Sequence, residues 1–429
     1  MAKFLFWKSK VGKLFITREE RQKQLLPSLR IILSIFGIFY AWPVENMEKN
    51  ALWWYRLKGI LFRMFFIYLC TASQITYNCT VVTTTEELFA GIFILLTQLV
   101  LILKMEFFYL NVSKIQKLVS RLEGELYLPQ SAEEHIPLEQ ARRKTTIFWI
   151  LYFIFSDGII LYWFVLSCCY SIMIVPTWPA VDDTTQYAVF LMVIIYQFFA
   201  LLLNAAFNIS WDSLVGALLA LTNAHMYRLQ IQLMKVGHRN LKESYDNKNV
   251  IMVTEYGKSS DEIYNELLQC IIFHQEVTGY VESINYEASL FLRDVLKLFS
   301  GPMLLQLYCS VVILCITEFL LLTGISTKGE NIKAFCYLIC LIIQVVQYCY
   351  FGNEVKYTSQ KVHQATAFVN YPDMDIKTRK LLIAFQQYTA KQIQCSARRI
   401  FTIELSMATF VTIIKTSYSY LAVLRSMTN

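Results

Sequence analysis

The chain has 429 residues, of which 56% are hydrophobic and only 17% are charged, where a water-soluble chain carries about 25% charge. Mean hydropathy is +0.42, and long runs with few charges recur from end to end. This excludes a soluble globular protein and indicates a polytopic membrane protein.

The opening, MAKFLFWKSKVGKLF, is too broken by lysines to hold the apolar stretch of a signal peptide. Residues 1–56 read as a cytoplasmic arm containing a short apolar run, Leu25 to Pro43, suited to a re-entrant or interfacial helix. Seven spans follow, at 57–78, 87–109, 145–170, 186–206, 298–323, 333–352 and 401–424. Each has about 20 mostly apolar residues, enough for a helix to cross about 30 Å of hydrocarbon. The chain thus divides into spans one to four (57–224), a loop with a helical extension (225–297), spans five and six (298–352), anchor helices (353–400) and a last span (401–429).

Charge sets the orientation. Lysine and arginine crowd the N-terminal arm and the second, fourth and sixth loops, as in Arg142-Arg143-Lys144 and Arg398-Arg399. The loops at 79–86 and 171–185 have neither. By the positive-inside rule the N-terminus is cytoplasmic and the C-terminus outside. The sequon at Asn78 falls on the outer side, in agreement. Apolar residues at three-and-four spacing in the tail of the 225–297 loop, and again over 354–400 with a break at Tyr371-Pro372, predict helices bundled below the membrane.

Eleven cysteines lie mostly in or beside apolar runs, without the paired spacing of a zinc site; Cys79 with Cys168 or Cys169 is a candidate outer disulfide. None of the five histidines belongs to an HExxH motif and no GxSxG is present, so neither an enzyme nor a cofactor is expected. Charges within or beside the spans include Asp157, Asp212, Glu318 and Lys415. The outer halves of the spans carry Phe89, Phe93, Phe155, Gly158, Ile159, Tyr162, Phe190, Ile194 and Tyr337. These either line an apolar cavity for a small lipophilic ligand or pack between helices and lipid.

Four stretches carry a family resemblance: FGIFYAWP, ending at Trp42-Pro43; His274-Gln275 before the fifth span; QYCYFGNEV, with Gly352-Asn353-Glu354; and the ending RRIFTIELSMATFVTIIKTSYSYLAVLR. With the inverted topology, the chain resembles the insect odorant receptor family over nearly its whole length. The resemblance implies an all-α membrane protein of seven transmembrane helices, with a cytoplasmic N-terminus and a helical cytoplasmic anchor domain. It implies a subunit of a ligand-gated, non-selective cation channel in the plasma membrane of olfactory sensory neurons. There the subunit would form a heterotetramer with a co-receptor, bind a small volatile odorant and contact membrane lipid, with no nucleic-acid partner.

Carried over residue by residue, the resemblance makes the nine outer-half residues the odorant site. His274, Asn353, Glu354, Arg398 and Arg399 become the subunit anchor. Alignment from Phe401-Thr402 puts the family's Thr-Tyr pair on Ser417-Tyr418 and its gate on Leu421, with Leu424 the alternative and Arg425 one turn outward. Lys415 then falls about 9 Å below Leu421 and about 120° around the helix, toward a neighbouring helix or the cytoplasmic vestibule. The fourth loop is shorter than the co-receptor's, which points to a tuning subunit. A gustatory receptor would end in Thr-Tyr and Gln-Phe, which this sequence lacks, and a G-protein-coupled receptor would place its N-terminus outside.

Overall fold

The computed structural model describes residues 49–83, 85–122, 124–179, 183–238, 240–246, 249–256, 258–278, 291–323, 328–393, 395–398 and 402–428. The expected interfacial helix at 25–43, including Trp42-Pro43, lies outside them, as does Arg399. The first span is built from α1 (Lys49–Arg63), which passes through a π-turn (Met64–Tyr68) into α2 (Leu69–Thr80). Then come α3 (Thr85–Arg121), α4 (Ala132–Tyr170), α5 (Asp183–Lys235), α6 (Ser260–Thr278), α7 (Phe291–Thr323), α8 (Lys328–Ala365), α9 (Ile376–Thr389) and α10 (Met407–Thr428). Among the described residues, six helices are long and apolar enough to cross a membrane; α10, of 22 residues, supplies the seventh crossing.

The helices overrun the spans expected from hydropathy. At 53 residues, α5 is about 80 Å long by its rise per residue, against about 30 Å of hydrocarbon. The expected boundary at 224 therefore falls inside an unbroken helix. Helix continues because the apolar stripe continues: Leu218, Met226, Leu229 and Leu233 are all buried, against protein rather than lipid.

Helix starts follow local chemistry. Ser259 and Glu262 form a reciprocal capping box (Glu262 N–H to Ser259 Oγ, 3.2 Å; Ser259 N–H to Glu262 Oε2, 2.8 Å) at the head of α6. Ser131 caps α4 and Asp375 caps α9, each accepting from the backbone N–H three residues on.

Two expectations are corrected. The 225–297 segment begins as the end of α5 and, beyond Lys235, holds β1 (Asn240–Asp246) paired with β2 (Asn249–Tyr256); β-branched Val250, Ile251, Val253 and Thr254 favour strand. The last helix starts at Met407 rather than 401, because β3 (Ser396–Arg398) pairs with β4 (Thr402–Glu404) just before it. Leu405 N–H closes this turn on the Cys395 carbonyl (2.8 Å), and Ser406 Oγ caps α10 by accepting from Thr409 N–H (3.2 Å). Gly352 explains part of the QYCYFGNEV motif: a Cβ there would lie 2.4 Å from Leu405 Cβ and 2.6 Å from its carbonyl oxygen. Only glycine lets α8 touch this segment.

All eleven cysteines are free thiols, Cys79, Cys168 and Cys169 included. Asn78 is engaged with its own helix, its Nδ2 donating to the Gln74 carbonyl (2.8 Å), and its side chain packs against Gly91 of α3.

Candidate functional site

A cavity of about 110 Å³ lies among α3, α4, α5 and α8. Each helix contributes one stripe at three-and-four spacing: Ile94, Thr97, Gln98 and Leu101; Tyr152, Ser156, Ile159, Ile160 and Trp163; Leu201, Asn204, Ala205, Asn208 and Ile209; Tyr337, Cys340, Leu341 and Gln344. Helix directions put Trp163 and Tyr337 toward the outer end and Asn208 and Gln344 at the floor.

Of the nine expected ligand-site residues, Ile159 and Tyr337 line this cavity. Phe93 is buried behind Tyr337, with ring centroids 5.2 Å apart. Phe89 packs on Phe319 at 5.4 Å. Phe190 and Ile194 are core residues, and Tyr162 is half-buried against the core. Phe155 is exposed, and a Cβ on Gly158 would meet nothing within 4 Å, so that face of α4 looks outward.

The polar residues of the wall were not singled out in the sequence. Their signal was present: Thr97, Gln98, Ser156, Asn204, Asn208 and Gln344 recur at helical spacing on otherwise apolar spans. Several are hydrogen-bonded within the wall. Asn204 Nδ2 donates to Gln98 Oε1 (3.0 Å), Thr97 and Tyr337 share a hydroxyl hydrogen bond, and Tyr152 Oη donates to the Cys340 carbonyl (3.3 Å).

Beneath the floor lies a completely buried ion pair, Lys104 Nζ to Asp212 Oδ1, 2.6 Å. Lys104 Nζ also donates to Asn208 Oδ1 (2.8 Å), while Tyr348 Oη and Gln344 Nε2 both donate to the Asp212 carboxylate. Asn208 and Gln344 thus belong to the cavity and to this network at once. Lys104 escaped the sequence reading because it sits near the expected inner end of span two, where a lysine reads as a boundary charge.

The last helix leans on α7 and α8. Ser417 is fully buried, its hydroxyl donating to Glu318 Oε1 of α7 (3.1 Å) while its carbonyl receives the Cys315 thiol (3.6 Å). Val411, Lys415 and Tyr418 fall on the opposite, exposed stripe. Of the expected pore residues, Ser417 therefore faces into the subunit and Tyr418 out of it. Leu421, Leu424 and Arg425 are placed on α10 by backbone alone.

The expected anchor residues divide similarly. His274 is buried within the subunit, its ring 5.3 Å from Phe385 and 5.6 Å from Tyr388 of α9; burial pulls its pKa down to about 4. Glu354 accepts from Asn223 Nδ2 (3.3 Å), and Asn353 is half-buried. Arg398 is placed on β3 by backbone alone. A stronger cytoplasmic tie, absent from the sequence reading, is Arg228. It is 1% exposed, paired with Glu134 (3.0 Å), and bonded to the Tyr127 and Leu128 carbonyls (2.7 Å each).

The profile of the 7tm Odorant receptor family matches residues 84–418, four helices of the cavity and most of α10 included. The chain belongs to this family. The receptor is 28% identical over 406 residues to Odorant receptor Or1 of Anopheles gambiae, covering 90% of this chain and 92% of that one. It is 22% identical to Odorant receptor 46a, isoform A, of Drosophila melanogaster, covering 91% and 96%. Its fold matches the solved insect olfactory receptor OR5 from Machilis hrabei with a TM-score of 0.74 at 13% identity, covering 94% of this chain and 98% of that one. The same protein in complex with eugenol matches with a TM-score of 0.73 at 14% identity, covering 96% and 98%. The receptor is thus an all-α, multi-pass membrane protein of the seven-helix insect type.

Proposed function

We propose that this receptor is a tuning subunit of a ligand-gated, non-selective cation channel in the plasma membrane of olfactory sensory neurons, assembled as a heterotetramer with a co-receptor. A small volatile molecule binds the cavity among α3, α4, α5 and α8, and binding favours an open arrangement of the α10 helices around a central pore. The observation that carries the reading is the mostly apolar cavity between four helices with a few polar groups in its wall, the form of a small-molecule site. The eugenol complex of the structurally similar receptor lends further support. Leu421 is the gate, a hydrophobic constriction that opens by widening and wetting, and the cytoplasmic extensions of α5 to α9 form the anchor where subunits meet.

The test is current recording from cells expressing the chain with a co-receptor during a volatile panel. Ile159→Trp, which fills the cavity, abolishes evoked current while surface density stays normal. Leu421→Ala raises basal conductance; unchanged basal and evoked currents in that variant remove Leu421 from the gate.

A further inference from the structure

We propose that the hydrogen bond between Gln306 of α7 and Gln344 of α8 is a latch that resists ligand entry and passes cavity occupancy to the helix behind the pore. Gln344 is the one cavity residue bonded to both the ion pair and α7. Its Nε2 donates to Asp212, and its Oε1 accepts from Gln306 Nε2 at 2.9 Å. Gln306 is itself 3% exposed, is tied to Ser310 Oγ (3.0 Å), and takes no part in the cavity wall. Farther along the same helix, Cys315 and Glu318 hold Ser417 of α10. Cavity floor, α7 and last helix are thus joined by named polar contacts across an otherwise apolar interior.

Size makes the latch matter. A cavity of about 150 Å³ admits benzene, and this one measures about 110 Å³. A volatile larger than benzene therefore presses on the wall when it enters. Trp163 and Tyr337 are rings held in packed layers, whereas Gln344 turns about three side-chain bonds. Displacing its amide leaves Gln306 Nε2 with Ser310 Oγ as its remaining partner and removes one donor from Asp212, so the arrangement of α7 that suits the narrow cavity loses its advantage. A ligand shifts the equilibrium by the difference in its affinity for the two arrangements, and the latch contributes to that difference.

The proposal rests on reading the cavity as the ligand site, and the test separates the two. Gln306→Met keeps length and leaves every cavity residue in place. In cells expressing the variant with a co-receptor, basal current as a fraction of maximal current rises roughly three- to tenfold, as expected for one buried hydrogen bond. The half-maximal concentration of the most potent of eugenol, 1-octanol, acetophenone and ethyl butyrate falls by a similar factor. Both readouts are independent of channel number, so a merely destabilising change does not move them. Gln306→Asn, one methylene short, serves as the second variant if Gln306→Met does not reach the surface. Basal fraction and half-maximal concentration both equal to wild type, or a loss of evoked current at normal surface density, overturn the latch. In the Ile159→Trp background the raised basal current of Gln306→Met persists if the latch is real. Persistence of evoked current in Ile159→Trp alone refutes the ligand site and leaves the latch to be judged by basal current.

Discussion

Replacing Lys104 by Met tests the buried ion pair directly. The two charges are 2.6 Å apart and both side chains are fully buried. With an effective dielectric constant near 20, that separation corresponds to a gross attraction of about 6 kcal/mol. Desolvation offsets part of it, but losing one partner leaves the other charge buried alone, which costs about 3–5 kcal/mol. Asp212 would keep Tyr348 and Gln344 as donors, which holds the cost nearer the lower figure. Unfolding followed by fluorescence-detected size exclusion of detergent-solubilised protein should show a midpoint roughly 3 °C lower in Lys104→Met, from the size scaling of unfolding entropy. The double variant Lys104→Met with Asp212→Leu should recover most of the loss, because an apolar pair of similar volume has no charge to strand. An unchanged midpoint in Lys104→Met, or a double variant no better than the single one, would refute the claim that these residues are a coupled, dehydrated pair.

Three further outcomes follow from the geometry. His274 has a folded pKa of about 4 against about 6.5 unfolded, so the unfolded chain binds the extra proton; stability present above pH 6.5 declines toward pH 4 by about 3 kcal/mol, and His274→Gln should flatten that part of the pH–stability profile. Gly352→Ala should lower stability by about 1–3 kcal/mol through overpacking against Leu405, measured by the same thermal assay, with Gly352→Val worse. Membrane-impermeant maleimide applied to intact cells should label the exposed thiols of Cys79, Cys168 and Cys169 from outside, and a triple serine variant should lose that label; equal labelling of both would contradict the orientation.

The membrane class, the orientation and the seven crossings were legible because hydropathy and loop charge are sums over many residues. The ends of helices were not, since hydropathy reports where lipid begins and ends, while Leu229 and Leu233 of α5 stay helical by burying against protein. The pairing of 396–398 with 402–404 escaped for a related reason: Ile400 to Ile403 read in sequence as the apolar, β-branched start of a span, and only the pairing of Ala397 with Ile403 sets the strand apart. Within the cavity, aromatic content was the poorer guide. Phe155 and Phe89 face elsewhere, whereas small polar residues at helical spacing trace the wall. Lys104 and Asp212 are far apart in sequence and opposite in sign, and their pairing appears only when α3 and α5, both running inward, are brought side by side.

The unbroken length of α5 has a consequence for anyone who would exchange parts between receptors. Cavity wall and cytoplasmic bundle are borne by one stiff rod, so their relative azimuth is set by residue count. A single residue inserted between Asp212 and Arg228 would turn everything beyond it by about 100° and advance it by about 1.5 Å, swinging Arg228 off Glu134 while leaving the cavity intact. Inserting seven residues would restore the phase to within about 20° yet lengthen the rod by about 10 Å. Grafted cavities should therefore be joined at the loops that flank the helix, or inside it at matched positions with the count between Asn208 and Arg228 preserved.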